Sequence, residues 1–205
     1  MNYVKSRYPD AAVVCYINTT AEVKANCDIC CTSSNAVNVV NSLDQEQIIF
    51  VPDQNLARYV ARFADKEILP WEGYCIVHDQ FTPEQVRKAK QSYVEATVIV
   101  HPECRPEVID LADHIASTSG IIRHICPSKN HEFIIGTDVG ILHRIKKECP
   151  DKQCHPLSDR AVCRNMKKKD LSKVHAALLH LKPRIIVPAD VAIKARVAID
   201  RMLSL

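Results

Sequence analysis

Residues 8–36 read YPDAAVVCYINTTAEVKANCDICCTSSNA, and residues 93–121 read YVEATVIVHPECRPEVIDLADHIASTSGI. Set 85 positions apart, the two stretches align without a gap. Tyr8 falls on Tyr93, Ala11 on Ala96, Val13 on Val98, Glu22 and Val23 on Glu107 and Val108, Asp28 on Asp113, and Ser34 on Ser119. The match continues to Asp53 and Asp138, each following an apolar run at residues 48–51 and 133–135. A fixed period of this kind signals duplicated structural units.

Each unit alternates strand and helix signals. Thr82-Pro83-Glu84-Gln85 predicts a helix start, with Thr as N-cap, Pro in the first turn and Gln closing a capping box. Residues 97–100 read as a buried strand, 105–113 as helix, 121–125 and 133–135 as short strands, and Asp138 as the cap of a helix running to Glu148. Short apolar strands between helices imply parallel sheets covered on both faces. The expected fold class is therefore α/β, made of repeated three-layer αβα domains.

Residues 1–7 read as the back half of a helix with no capping residue before Lys5 and Arg7. Residues 170–187, DLSKVHAALLHLKPRIIV, resemble residues 82–99 at a shift of 88, as the helix and strand that open another unit. The expected organisation is a first unit at 1–81 lacking its helix start, a second at 82–169, and a helix–strand–helix tail at 170–205. That tail would complete an absent upstream unit, closing a ring of three. The competing expectation is that the final helices cap the second unit.

The chain has 205 residues, 47% of them hydrophobic, and a net charge of +3. So mild a charge, with few aromatics, argues against nucleic acid as a partner. No apolar run reaches membrane-spanning length and Met1 is followed by polar residues, so no membrane association and a cytoplasmic location are expected. In a reducing compartment the ten cysteines are expected to be ligands, catalytic groups or buried small hydrophobes rather than disulfides. Cys15 and Cys126 are expected as core fillers. Cys27-Asp28-Ile29-Cys30 is a lone CxxC whose counterparts are Ala112 and Ile115, which favours packing. Cys104, Cys149 and Cys154 have no repeat partners.

Ligands of α/β units bind beyond the C-terminal ends of the strands. Tyr16-Ile17-Asn18 and His101-Pro102-Glu103 occupy that place in the two units. Their alternative role is capping, which suits Asn18 or Thr19 better than His101 or Glu103. Two hydroxyl-rich turns, 31–35 and 116–120, come next, suited either to capping or to binding phosphate or carboxylate. Cys75 and Cys163 close the units 88 positions apart. Converging with a third thiol, they would suit an iron–sulfur cluster with one open iron acting as Lewis acid. His78 would then sit beside substrate as an acid or base.

These residues resemble the quinolinate synthase family, the iron–sulfur enzymes of NAD biosynthesis. The resemblance covers essentially the whole chain and rests on YINTTAEVKANCDICCTSSNAV, GYCIVHDQFTPEQV, VIVHPECRPEVIDLADHIASTSG, FIIGTDVGILHRIKKECP and AVCRNMKKKDL. It implies three α/β domains related by pseudo-threefold symmetry around one active site. It further implies a [4Fe-4S] cluster held by one cysteine per domain, with Cys75 and Cys163 as the second and third ligands. The implied reaction condenses iminoaspartate with dihydroxyacetone phosphate to quinolinate, losing phosphate and water. A functional link to an iminoaspartate-producing aspartate oxidase or dehydrogenase follows from that chemistry. By position, the substrate contacts are Tyr16, Asn18, Ser33, His78, His101, Glu103, Ser117, Thr118 and Thr137. Glu103 and His101 are the expected proton-transfer groups. The family's first domain, with its cluster cysteine and a histidine–tyrosine motif, has no counterpart here, and Arg164 stands where proline is common. The expectation is a fragment, inactive alone, that does not keep the cluster. The other reading is a noncatalytic two-unit remnant binding a metal or phosphorylated ligand.

Overall fold

The computed structural model describes residues 2–205, with side chains from Val4 onward. The expected missing helix start lies a few residues before Met1, outside the described residues. The first unit runs α1 (Asn2–Arg7), β1 (Ala12–Tyr16), α2 (Ala21–Lys24), β2 (Ile29–Cys31), α3 (Ala36–Asn41), β3 (Gln47–Val51), α4 (Gln54–Val60) and β4 (Glu67–Pro70). The second runs α5 (Pro83–Ser92), β5 (Thr97–Val100), α6 (Pro106–Ile109), β6 (His114–Ile115), α7 (Thr118–Ile125), β7 (Glu132–Gly136), α8 (Ile141–Glu148) and β8 (Gln153–Pro156). A 3-10 turn at Met166–Lys168 leads to α9 (Leu171–His180) and α10 (Ala189–Leu203).

The strands form two four-stranded parallel sheets of identical topology, β2-β1-β3-β4 and β6-β5-β7-β8. Helices cover both faces, giving three-layer αβα units. Central strands are buried on both sides, which is why they are continuous apolar runs rather than alternating ones. The repeat extends to single atoms. Asp28 Oδ2 accepts the Val13 N–H at 2.7 Å, and Asp113 Oδ2 accepts the Val98 N–H at 2.8 Å. Each aspartate thereby pins the turn before β2 or β6 to the start of the neighbouring strand.

Cross-strand volumes are redistributed between the units. Cys15 pairs with Val51 in the first sheet, and Val100 pairs with Gly136 in the second. A Cβ on Gly136 would lie 2.8 Å from Val100 Cγ1, so the larger strand residue has emptied the position beside it.

The capping box at Thr82 forms as the sequence predicts, with Pro83 opening α5. Several expectations need correction. Residues 121–125 are helix, because Ser117 accepts the Gly120 N–H and starts α7 early enough to absorb them. The helix expected over 105–113 is the single turn of α6, after which β6 begins. Asp138 accepts the Gly140 N–H, but α8 starts only at Ile141. Residues 185–187 form no strand. Cys126 is exposed rather than a core filler and is joined to Cys149 in a disulfide, Cα–Cα 5.3 Å, contrary to the expected absence of disulfides. The ends of α7 and α8 meet in space, which neither cysteine's sequence neighbourhood reveals.

The tail is split in its behaviour. α10 packs on α2 and β2, burying Ala198 and Met202 in the first unit's core, and Arg201 donates to the Asp28 carbonyl at 2.8 Å. By contrast Leu171, Leu178, Leu181, Ile185 and Ile186 of α9 and the following segment are exposed.

Candidate active site

Both sheets end in polar side chains at equivalent places. Tyr16 closes β1 and His101 follows β5, with Asn18 and Glu103 two residues further on. Glu103 is the centre of a buried polar group. Its Oε2 lies 3.1 Å from His101 Nδ1 and 3.2 Å from His78 Nδ1. The two imidazoles stack, 4.2 Å between centroids and 11° between planes. His78 comes from the turn after β4, and its Nε2 lies 2.8 Å from Thr137 Oγ1 at the end of β7. The group thus joins the first unit's last turn to two strand ends of the second.

Burial alone would push Glu103 up, but the two histidines beside it outweigh this and hold it below the usual carboxylate range. Burial likewise disfavours the His78 imidazolium, yet Cys75 and Glu103 lift it to about 9. His101 is held below its ordinary value by burial, reinforced by the His78 charge against the pull of Glu103. The two imidazoles are thus driven in opposite directions around one carboxylate.

Cys75, His78 and Glu103 each place a ligand atom within 4.8 Å of the other two. His78 Nδ1 is buried and, although near Glu103, makes no aligned hydrogen bond. It is an atom with coordination to spare. Cys75 is held from behind. Its backbone N–H donates to Asp53 Oδ2 at 2.9 Å, while Asp53 Oδ1 caps α4 by accepting the Leu56 N–H at 2.7 Å. Gly73 makes this close approach possible, since a Cβ there would meet the Pro52 carbonyl at 2.4 Å. Burial, then the charge of Glu103, pushes Asp53 up to about 7 against these two donors. The second unit repeats the device: the Cys163 N–H donates to Asp138 Oδ2 at 2.6 Å, and Asp138 Oδ1 accepts the Gly140 N–H at 2.8 Å. Both cysteines are half-buried against one apolar cluster containing Phe81 and Ala161.

Sequence reasoning singled out Asp53 and Asp138 as repeat markers but missed this anchoring. The available signal was that an aspartate and a cysteine recur together at the end of both units.

Tyr16 is buried. Burial and the charge of Glu103 raise its phenol above the ordinary value, opposed by a hydrogen bond with Ser33. The structure therefore brings together Tyr16 with Ser33, and Cys75 with His78, His101, Glu103 and Thr137. Asn18 is exposed on the loop after β1, and the N-cap of α2 is Thr20 rather than Asn18 or Thr19. Ser117 is occupied as the N-cap of α7 and Thr118 is its first residue. Cys163 lies outside the Cys75–His78–Glu103 triangle. Among the described residues no helix is long and apolar enough to cross a membrane.

The family model described as "NadA: Quinolinate synthetase A protein" matches residues 1–204. A quinolinate synthase of Methanoregula boonei is 62% identical over the whole chain, which spans 68% of that relative. Quinolinate synthases of Methanosarcina barkeri and Desulforudis audaxviator are 50% and 49% identical over 98% of the chain, which spans 66% and 67% of their lengths. The chain belongs to the quinolinate synthase (NadA) family.

Proposed function

We propose that this chain carries two of the three parts of a site that condenses iminoaspartate with dihydroxyacetone phosphate to quinolinate, releasing phosphate and water. One observation carries the reading: a buried carboxylate held between two stacked imidazoles, beside a thiol, at the strand ends of a family member. In it Glu103, His101, His78 and Tyr16 are catalytic. Glu103 and His101 take up protons from bound substrate, and His78, whose charged form Glu103 favours, returns one to a leaving oxygen. Tyr16, Asn18 and Ser33 orient substrate from the first unit. Ser117 and Thr118, at the start of α7, and Thr137 receive carboxylate or phosphate oxygens. A cytoplasmic location, and supply of iminoaspartate by an aspartate-oxidising enzyme, belong to the same reading.

The residues present fit part of a [4Fe-4S] centre. Cys75 and Cys163 offer the soft thiolates such iron needs, and the unpartnered Nδ1 of His78 marks polar space beside Cys75. When bound, the cluster supplies a Lewis-acidic iron that polarises a substrate oxygen. We take the third ligand to come from the part of the relatives that this chain does not span, docked against the exposed apolar face of α9 and residues 181–187.

The test is reconstitution. The chain is co-expressed anaerobically with the segment of the Methanoregula boonei relative that it does not cover. Iron, sulfide and quinolinate are then measured. The expected result is about four irons and cluster-dependent quinolinate with both pieces, and neither with this chain alone. Absence of quinolinate from an iron-loaded pair would sink the reading. The Cys75–His78–Glu103 triangle also favours a second one, a mononuclear metal site without catalysis. One zinc per chain, retained without iron or product, would establish that instead.

A further inference from the structure

A second convergence of side chains lies in the first unit, beneath the end of β1 and the loop that carries Asn18. Cys15 and Cys30 are register partners on the adjacent parallel strands β1 and β2. Their side chains share a face, and their Cα atoms stand about 5 Å apart, within the span of a disulfide. Cys27, in the turn before β2, packs into the same core. Cys15 Sγ lies 3.1 Å from Thr19 Oγ1, and the Cys27 thiol donates to the Val23 carbonyl at 3.0 Å. The Lys24 ammonium donates to the Thr19 carbonyl at 2.6 Å, keeping a positive charge beside the group. The scaffold does not require sulfur here, because the second unit places Val100, Ala112 and Ile115 at the equivalent positions.

We propose that Cys15, Cys27 and Cys30 form a peroxide-sensitive thiol centre, in which oxidation closes a disulfide from Cys15 to one of its two neighbours. Cys15 is the nucleophile. Cys27 and Cys30, with Thr19 and the Lys24 charge, hold its thiol below the ordinary value against burial. Cys15 and Cys30 are fully buried and Cys27 is half-buried, so solvent meets the group at Cys27. The thiolate attacks one oxygen of hydrogen peroxide, the O–O bond breaks, and Cys15 becomes a sulfenic acid as hydroxide leaves and takes up a proton. The neighbouring thiol then attacks the sulfenic sulfur, the S–O bond breaks, and water departs with that thiol's proton. Two thiols lose two electrons in total, and one peroxide becomes two waters.

The bond would draw Cys15 Sγ away from Thr19. Thr19 N–H donates to the Ile17 carbonyl, so its position shapes the loop that bears Asn18 and follows Tyr16. Oxidation at the centre is thereby coupled to the candidate active site, although the centre itself does not rest on the quinolinate reading.

The experiment uses the intact reduced chain, treated with hydrogen peroxide, alkylated and mapped by mass spectrometry. Cleavage after Lys24 and before Asp28 separates the three cysteines. The expected product is a cross-linked peptide joining Cys15 to Cys27 or Cys30, formed in the folded chain and absent when the same treatment is done in urea. Cys15→Ala is expected to abolish it, while Cys27→Ala leaves the Cys15–Cys30 bridge. Amide hydrogen exchange at residues 16–20 is expected to speed up on oxidation. Full alkylation of all three cysteines after peroxide would overturn the proposal, as would a Cys27–Cys30 bridge without Cys15. Unchanged exchange at residues 16–20 in the bridged chain would overturn the coupling to the active site.

Discussion

The two units share a scaffold down to individual hydrogen bonds, yet they bring different chemistry to the same place. Tyr16 and His101 occupy equivalent positions, as do Asn18 and Glu103. The first unit therefore offers a phenol and an amide, groups that stay neutral and orient. The second offers an imidazole and a carboxylate, groups that move protons. Behind this divergent face the anchoring is unchanged, since Asp53 and Asp138 each hold a cysteine N–H. Duplication preserved what positions the thiols and let the strand ends specialise.

If that division of labour is right, substitutions at equivalent positions have unequal effects. Glu103→Gln keeps size and hydrogen bonding but removes the base. In the reconstituted pair it is expected to slow quinolinate formation by on the order of 10²–10⁴ while substrate affinity stays within a few fold. Asn18→Ala, at the matching place in the first unit, is expected to cost about tenfold, expressed mainly in KM, because it removes orientation rather than proton transfer. Steady-state kinetics on both variants decide it, and equal losses in kcat would break the comparison.

The aspartate anchors differ in burial, and that difference predicts their ranking. Asp53 is buried and satisfies two N–H groups. Asp53→Ala leaves buried donors unmet, at about 1–3 kcal/mol each. Asp138 is half-exposed, so water can replace it, and Asp138→Ala is expected to cost about 1 kcal/mol or less. Urea denaturation midpoints measure both, and a larger loss at Asp138 would reverse the assignment. The anchors also predict a spectroscopic effect: each variant is expected to lower the iron bound per reconstituted pair while leaving the secondary structure seen by circular dichroism in place.

Much of this was readable from residues alone, for a physical reason. A parallel sheet buried on both faces needs continuous apolar runs, and an unbroken period of 85 kept those runs and the aspartates after them in phase. His78, Glu103 and Cys75 were legible as strand-end polar groups. The misreadings came from short apolar segments. Ile121, Ile122 and Ile125 suit a buried strand as well as one face of a helix, and only the Ser117 cap decides between them. Residues 185–187 have strand composition, but among the described residues no strand pairs with them, and in so exposed a segment water takes the backbone groups that a sheet would otherwise pair. The Cys126–Cys149 contact depends on how α7 and α8 end side by side, information carried by tertiary packing.

The exchanged volumes at the cross-strand pairs sharpen the comparison further. Gly136→Ala pushes a methyl into Val100 and Leu157, and overpacking of this kind costs about 1–3 kcal/mol. Adding Val100→Cys restores the first unit's small residue on β5 and is expected to recover most of that loss. A double-mutant cycle gives the coupling directly. Additive losses would show that the swap of bulk between Cys15·Val51 and Val100·Gly136 is coincidental.

The smallest effect belongs to a contact the repeat does not duplicate. Arg62 Nη1 lies 2.7 Å from Asp110 Oδ1, tying the end of α4 to the end of α6 across the two units. The equivalent positions are Lys147 and Ala25, which cannot form such a pair. Both partners are substantially exposed, so solvent screens the attraction and Asp110→Asn is expected to destabilise by about 0.2–1 kcal/mol. Because it is a surface pair, the loss is expected to shrink in 1 M salt, where the screening length falls to about 3 Å. A loss that persists undiminished at high salt would mean that Asp110 acts through the backbone at the end of α6 and not through this ion pair.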